Sequence, residues 1–220
     1  LLLDDFAADK ADIQKQKSLL ITKVDYKGKS EVDCDAEGNF PISFEVSITN
    51  NGDVDLTEGT KGYSLSVKNY GKELIFTQPL KGNLAVGAST TVTVTGTVNY
   101  AKYPNRNRFD VYEDLTNTYK PGSWIEPIPY KPVLTMRDSN DKIENGNATY
   151  AWGMVKESTE KTFEIRNDGP APLKLTSVVV PDGFTTSLAA PLTLEGHTKQ
   201  QFTITMPATT PGIYSGEFKV

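Results

Sequence analysis

Alternation with a period of two runs through most of this chain. In residues 43–49, Phe44, Val46 and Ile48 alternate with Ser, Glu, Ser and Thr. In residues 91–98, Val92, Val94 and Val98 alternate with threonines, and residues 201–205 repeat the pattern with Phe202 and Ile204. Successive side chains of a strand point to opposite faces, so each segment has one buried and one wet face. The β-branched Thr and Val suit that half-buried surface. Turn chemistry separates the runs: Asn51-Gly52-Asp53, Lys81-Gly82-Asn83, Asn167-Asp168-Gly169 and Pro181-Asp182-Gly183. Short alternating strands with frequent turns predict an all-β chain of antiparallel sandwiches. Helix signals are confined to residues 6–18, where Phe6 and Ile13 are the only large apolar residues, so a linker is expected there.

An internal repeat sets the domain count. Val46-x-Ile48-x-Asn50-x-Gly52-x-x-x-Leu56 matches Phe163-x-Ile165-x-Asn167-x-Gly169-x-x-x-Leu173. Further on, Leu84-x-Val86-Gly87-x-Ser89 before Val92-x-Val94 is paired with Leu192-x-Leu194-x-Gly196-x-Thr198 before Phe202-x-Ile204. Two tandem antiparallel sandwiches are expected, over residues 18–129 and 130–220. The seam is expected in residues 125–132, where Pro127, Pro129 and Pro132 favour a stiff, extended connector. Residues 212–220 alternate and predict a strand. Leu1-Leu2-Leu3 followed at once by Asp4 and Asp5 does not read as a secretory leader. Both ends look like strands. The chain therefore reads as a piece of a longer protein, with residues 1–17 a linker after the last strand of a preceding domain and the second sandwich truncated.

Composition removes several classes of function. The 220 residues carry 23 basic and 28 acidic side chains, a net charge of −5, which opposes a nucleic-acid partner. No apolar run approaches the roughly 18 residues of a membrane span. A single His and a single Cys leave little for catalysis, a disulfide framework or a thiolate metal cluster. No cofactor, no metal and no enzymatic activity are expected.

The second repeat, through Phe163-Glu164-Ile165-Arg166-Asn167-Asp168-Gly169-Pro170-Ala171-Pro172-Leu173, Pro181-Asp182-Gly183-Phe184 and the segment from Gly212 to Val220, resembles the Hydin-type immunoglobulin-like modules of bacterial "choice-of-anchor D" surface proteins. The first repeat, through residues 44–50, the Asn51-Gly52 turn, Leu84-Ala85-Val86-Gly87-Ala88-Ser89 and Phe109-Asp110-Val111-Tyr112, resembles the cell-adhesion-related domain of bacteria (CARDB-like). Leu1-Leu2-Leu3-Asp4-Asp5-Phe6 resembles the closing strand of a "choice-of-anchor J" or cleaved-adhesin module. Together these resemblances imply a multidomain bacterial protein, secreted or on the cell surface at the outer-membrane side. They imply two immunoglobulin-like sandwiches and no reaction.

Candidate chemistry is sparse. His197 reads as a solvated turn residue before a strand, and no nucleophile motif accompanies it. Asp33-Cys34-Asp35-Ala36-Glu37-Gly38 opens like a calcium loop, but Phe44 stands where the closing bidentate Glu belongs, so a charged hairpin turn is favoured. Asp138-Ser139-Asn140-Asp141 with Glu144 is a second oxygen cluster, read as a solvated turn. Cys34 lies between two aspartates, whose charge raises a thiol pKa, so it reads as inert. Asn147-Ala148-Thr149 fits the N-glycosylation pattern and marks an exposed turn at most.

Residues 100–124 carry the main candidates for ligand binding: Tyr103, Arg106, Tyr119 and Trp124, with Tyr100, Arg108, Tyr112, Asn105, Asn107 and Asn117 among them. Aromatic faces beside guanidinium and amide donors suit sugar stacking or a protein hot spot. The alternative is structural: Phe109, Val111 and Trp124 fill the core while the tyrosines pack strand ends. The function expected first is a non-catalytic adhesive or spacer segment whose partners are neighbouring domains of the same polypeptide. A module binding host protein or glycan through residues 100–124 stands second, and an accessory region of a secreted peptidase or glycosidase third.

Overall fold

A computed structural model describes residues 15–138, 142–143, 152, 157–207 and 214–220. The chain is all-β, with no helix among the described residues. The strands are β1 (Leu19–Tyr26), β2 (Glu31–Asp33), β3 (Asn39–Asn50), β4 (Ser64–Asn69), β5 (Leu74–Pro79), β6 (Ser89–Asn99), β7 (Asn107–Glu113) and β8 (Tyr119–Ile128). They continue as β9 (Leu134–Arg137), β10 (Lys142–Ile143), β11 (Thr159–Asn167), β12 (Leu173–Leu175), β13 (Thr185–Thr186), β14 (Leu192–Leu194) and β15 (Lys199–Met206). The chain divides into two compact units. One is the described part of Leu1–Val32 with Asn39–Pro127, and the other is Asp33–Gly38 with Ile128–Val220.

In the first unit, β3 lies between β1 and β6, and a second sheet has the order β2-β8-β7-β4-β5. The alternation of β3 is kept along its length: Phe40, Ile42, Phe44, Val46 and Ile48 are buried while the residues between them are not. Phe44, Val46, Ile48, Leu65, Val67 and Val94 are buried in this core, and Val92 is half-buried. On the wet face of β3 and β6, hydroxyls pair across the strands, Ser47 with Thr91 at 3.1 Å and Thr49 with Ser89 at 2.7 Å. From the other sheet, Phe109 meets Phe40 edge-on at 6.4 Å. Residues 125–128, at the start of the expected stiff, extended connector, form the end of β8, and Ile125 and Pro127 are buried. The extended bias of Pro127 is compatible with a strand, and Glu126 N donates to Ser30 O at 2.7 Å, which ties this stretch into the sheet.

Glu113 ends β7 fully buried, and its carboxylate collects the turn that follows. Leu115 N and Thr116 N donate to Oε2, both at 3.0 Å, and Thr118 N and Oγ1 donate to Oε1 at 2.6 and 2.8 Å. Burial pushes the pKa up, but the hydrogen bonds from Thr116 and Thr118 outweigh it and hold the group below its ordinary 4.5. A depressed pKa stabilises the fold above the unfolded value, and that contribution is lost as pH falls through the folded one. Glu113→Gln, which puts an NH2 against backbone donors, is expected to cost about 2 kcal/mol at neutral pH. The difference from wild type in urea unfolding should shrink below pH 4.5.

The second unit contains the sheet β10-β9-β11-β15-β13 and the ribbon β12-β14. Its core gathers Phe163, Ile165, Leu175, Phe202 and Ile204, with Leu173 and Tyr214 packed partly buried against them. Phe163 and Phe202 stack at 5.7 Å and Phe218 covers Phe202 at 5.6 Å. The strand expected over residues 212–220 is not formed in its described part. Residues 214–220 make a single bridge, Lys219 with Val179. Tyr214 and Phe218 are held by their rings against the core rather than by a ladder.

The repeat has a structural cause, which each unit shows by itself. Asn50 and Asn167 are fully buried at the end of a central strand. Asn50 Nδ2 donates to Val54 O and Leu84 O, both at 2.9 Å, and its Oδ1 accepts from Gly52 N at 3.1 Å. Asn167 Nδ2 donates to Ala171 O at 2.7 Å and Leu194 O at 3.1 Å, and its Oδ1 accepts from Gly169 N at 3.2 Å and Val133 N at 3.1 Å. A Cβ on Gly52 would lie 2.5 Å from Gln16 O, and one on Gly169 would strike Lys131 O. In both units the glycine abuts backbone that leads into the first strand, so no side chain fits.

These bonds also correct the second half of the repeat. Leu56 bridges Leu84, and Leu173 bridges Leu194, so Leu84 corresponds to Leu194 and not to Leu192. Asn50 N donates to Ala88 O, and Asn167 N to Thr198 O. Gly87 (φ 75°) therefore corresponds to His197 (φ 56°), two residues in the left-handed region at the same turn. Hydropathy spacing missed this because Leu192 and Leu194 are both apolar. A Cβ on Gly87 would meet nothing within 4 Å, so backbone strain is the only penalty at this turn. Gly87→Ala is expected to lower stability by about 1–2 kcal/mol in denaturant melts, because it takes an L side chain into the left-handed region.

Candidate functional site

The candidate surface is the outer face of β4, β7 and β8. It depends on a bulge. Between Phe109↔Ser123 and Val111↔Lys120, β8 carries one residue more than β7. Pro121 has no N–H to lose there, and Gly122 N donates to Asp110 Oδ1 at 3.0 Å. A Cβ on Gly122 would strike Phe109 O and crowd the Phe44 ring, so this position is closed to a side chain. Tyr119 and Trp124 are an odd number of residues apart, and strict alternation would place them on opposite faces. The extra residue puts both outward, Tyr119 opposite Tyr112 and Trp124 opposite Arg108.

Trp124 is 44% exposed, so it is not the core residue that the structural alternative required, whereas Phe109 and Val111 are buried. Beside it lies Tyr70, 62% exposed, with ring centroids 6.0 Å apart and planes at 35°. Arg106 holds its guanidinium 5.8 Å from the Trp124 ring, and Arg108 lies 4.6 Å from the Tyr70 ring. Arg108 is fixed by Asp110, whose Oδ2 accepts from Nη2 at 2.8 Å and Nε at 3.2 Å. That pair keeps the guanidinium pKa above its ordinary value. One step along the strands, Tyr119 stacks on Tyr112 at 4.9 Å. Lys68 Nζ stands 4.2 Å from the Tyr112 ring and donates to Asn117 Oδ1 at 3.0 Å.

Of the four residues singled out for binding, Arg106, Tyr119 and Trp124 share this face. Tyr103 does not: it is buried, edge-on to Phe109 at 6.0 Å, and its OH donates to Glu73 Oε2 at 2.7 Å. Burial first, then Glu73, raises its pKa. Tyr70 was missed. Its signal lies in Asn69-Tyr70-Gly71, a hairpin tip where an aromatic ring has no inner face to occupy.

Among the described residues, His197 and the Asp33–Gly38 stretch take structural roles. His197 is an exposed turn residue whose Nε2 lies 2.8 Å from Asp33 Oδ2, within the second unit. Asp35 Oδ1 accepts from Glu37 N at 3.1 Å and Gly38 N donates to Asp35 O, which makes residues 35–38 a hairpin turn. Cys34 is 3% exposed, and burial, then Asp35 and Asp33, push its thiol pKa up. No three His, Cys, Asp or Glu side chains converge as a metal set among the described residues. No described helix is long and apolar enough to cross a membrane. In the Asp138 to Glu144 cluster, residues 139–141 and 144 lie outside the described residues, as do Asn147-Ala148-Thr149 and residues 1–6.

No family model matches the chain, and no curated protein matches it. Among solved structures it is similar to a "protein of unknown function from Porphyromonas gingivalis W83", at 13% identity and a TM-score of 0.26, over 87% of this chain and 83% of that one. A superposition that loose carries no inference about fold or function.

Proposed function

We propose that this chain is a non-catalytic pair of immunoglobulin-like modules from a secreted or surface-exposed bacterial protein, and that it adheres through the outer face of β4, β7 and β8. The observation that carries the reading is the exposure of Trp124 and Tyr70 side by side, each with a guanidinium against its ring. Large aromatics left in water beside arginine are the composition of a recognition surface. The duplicated Asn-Gly turn in each unit supports two related modules, as the resemblance to CARDB-like and Hydin-type modules implies. A spacer that only projects neighbouring domains is the competing outcome. Binding of the purified chain to host cells and immobilised glycans separates the two. Trp124→Ala and Tyr70→Ala are each expected to weaken binding about tenfold or more while the thermal melt stays in place. Binding that survives both substitutions would remove this face from the account, and no binding at all would leave the spacer.

A further inference from the structure

We infer that the ligand of this face is an acidic saccharide, one carrying carboxylate or sulfate groups on pyranose rings. The inference rests on the reading that the face binds at all. The first observation is shape. The row across β7 and β8, with Tyr70 at the hairpin tip beside it, consists of Tyr70, Arg108 and Trp124, with no aliphatic side chain in it. A protein partner needs roughly 800 Å² per side with a desolvated apolar centre. Two tilted rings 6.0 Å apart offer instead two flat π faces, and the C–H face of a pyranose stacks on such a surface.

The second observation is charge. The chain is acidic overall, yet cations crowd these rings. Asp110 is 2% exposed and spends Oδ2 on Arg108 and Oδ1 on Gly122 N, so it presents no charge of its own to a ligand. Among the described residues no ion pair involves Arg106 or Lys68, and Arg108 uses only Nε and Nη2 on Asp110, leaving Nη1 to donate. The exposed carboxylate on this stretch of β8 is Glu126, two residues beyond Trp124. Against that charge, Arg106, Arg108 and Lys68 all stand against rings of this face. A planar guanidinium edge beside an aromatic platform recognises a carboxylate or sulfate bidentately while the ring carries the sugar.

The test titrates the chain with oligogalacturonate, a chondroitin sulfate oligosaccharide and neutral oligogalactan, in wild type, Arg106→Gln, Trp124→Ala and Trp124→Phe. At least one acidic oligosaccharide is expected to bind about tenfold more tightly than the galactan and to weaken with added salt. The two acidic probes distinguish carboxylate from sulfate. Arg106→Gln should abolish the acidic preference. Trp124→Ala should weaken every sugar, and Trp124→Phe should restore part of the loss. Equal affinity for galactan, or full acidic binding by Arg106→Gln, would overturn the acidic assignment while leaving the face as a binding site. If no saccharide binds yet cell attachment still depends on Trp124, the ligand is not a sugar and the inference fails alone. If attachment is indifferent to Trp124, the inference and the adhesive reading fall together.

Discussion

Asn167→Ala is expected to lower the free energy of unfolding by about 4 kcal/mol, and Asn50→Ala by about 3 kcal/mol. Asn167 is fully buried and satisfies five backbone groups, the carbonyls of Ala171, Leu194 and Glu195 and the amides of Gly169 and Val133. Truncation takes a partner from each, at a penalty of about 1 kcal/mol or more for every group left buried and unpaired. Asn50 satisfies three, Val54 O, Leu84 O and Gly52 N, which sets the smaller loss. Asp in either place accepts but does not donate, so it should be no better than Ala and should bury a charge. Equilibrium urea unfolding of the four variants reads these differences. Losses below about 1 kcal/mol at both positions would mean that water reaches the turns.

The second large effect is expected in the cores. Ile48→Ala should cost about 4 kcal/mol and Ile204→Ala about 3 kcal/mol, within the range for buried aliphatic truncation. Ile48 is fully buried in the central strand of its sheet, paired to Ile21 on one side and Thr90 on the other, so its neighbours cannot collapse into the space without breaking register. Ile204 is 6% exposed and pairs with Lys161 and Thr186 nearer the sheet margin, where relaxation is easier. Chemical denaturation measures both, and a loss under about 0.5 kcal/mol would mean that the inward face is wrongly assigned.

Much of the strand content was legible because burial in a two-faced sheet writes itself as a period of two. Phe44, Val46 and Ile48 point inward, and the interleaved Ser47 and Thr49 form hydroxyl pairs on the wet side. The Asn-Gly spacing was legible for a related reason. One buried amide must reach two carbonyls across a turn of fixed length, and a glycine must let backbone pass. The equivalence of Leu84 with Leu194 was not legible, because two leucines at alternate positions satisfy hydropathy equally and hydrogen bonding chooses between them. Nor was the fate of residues 214–220, where ring packing against Phe202 displaces the ladder that their alternation predicts.

The sequence by itself determined that this chain is all-β, that residues 43–49, 91–98 and 201–205 lie in strands and where the Asn-Gly turn recurs, since each of these is fixed by residues close along the chain. Tertiary structure alone decided the candidate face. Tyr70 comes from one hairpin, Arg108 from a middle strand and Trp124 from its neighbour. Whether Trp124 faces core or solvent turns on a single extra residue at Pro121–Gly122, and Asp110 fixes that bulge from another strand. Register between strands is a non-local quantity, and one residue of slip exchanges the faces. The side chains that gather on such a surface are therefore chosen by pairing, not by any local run of sequence.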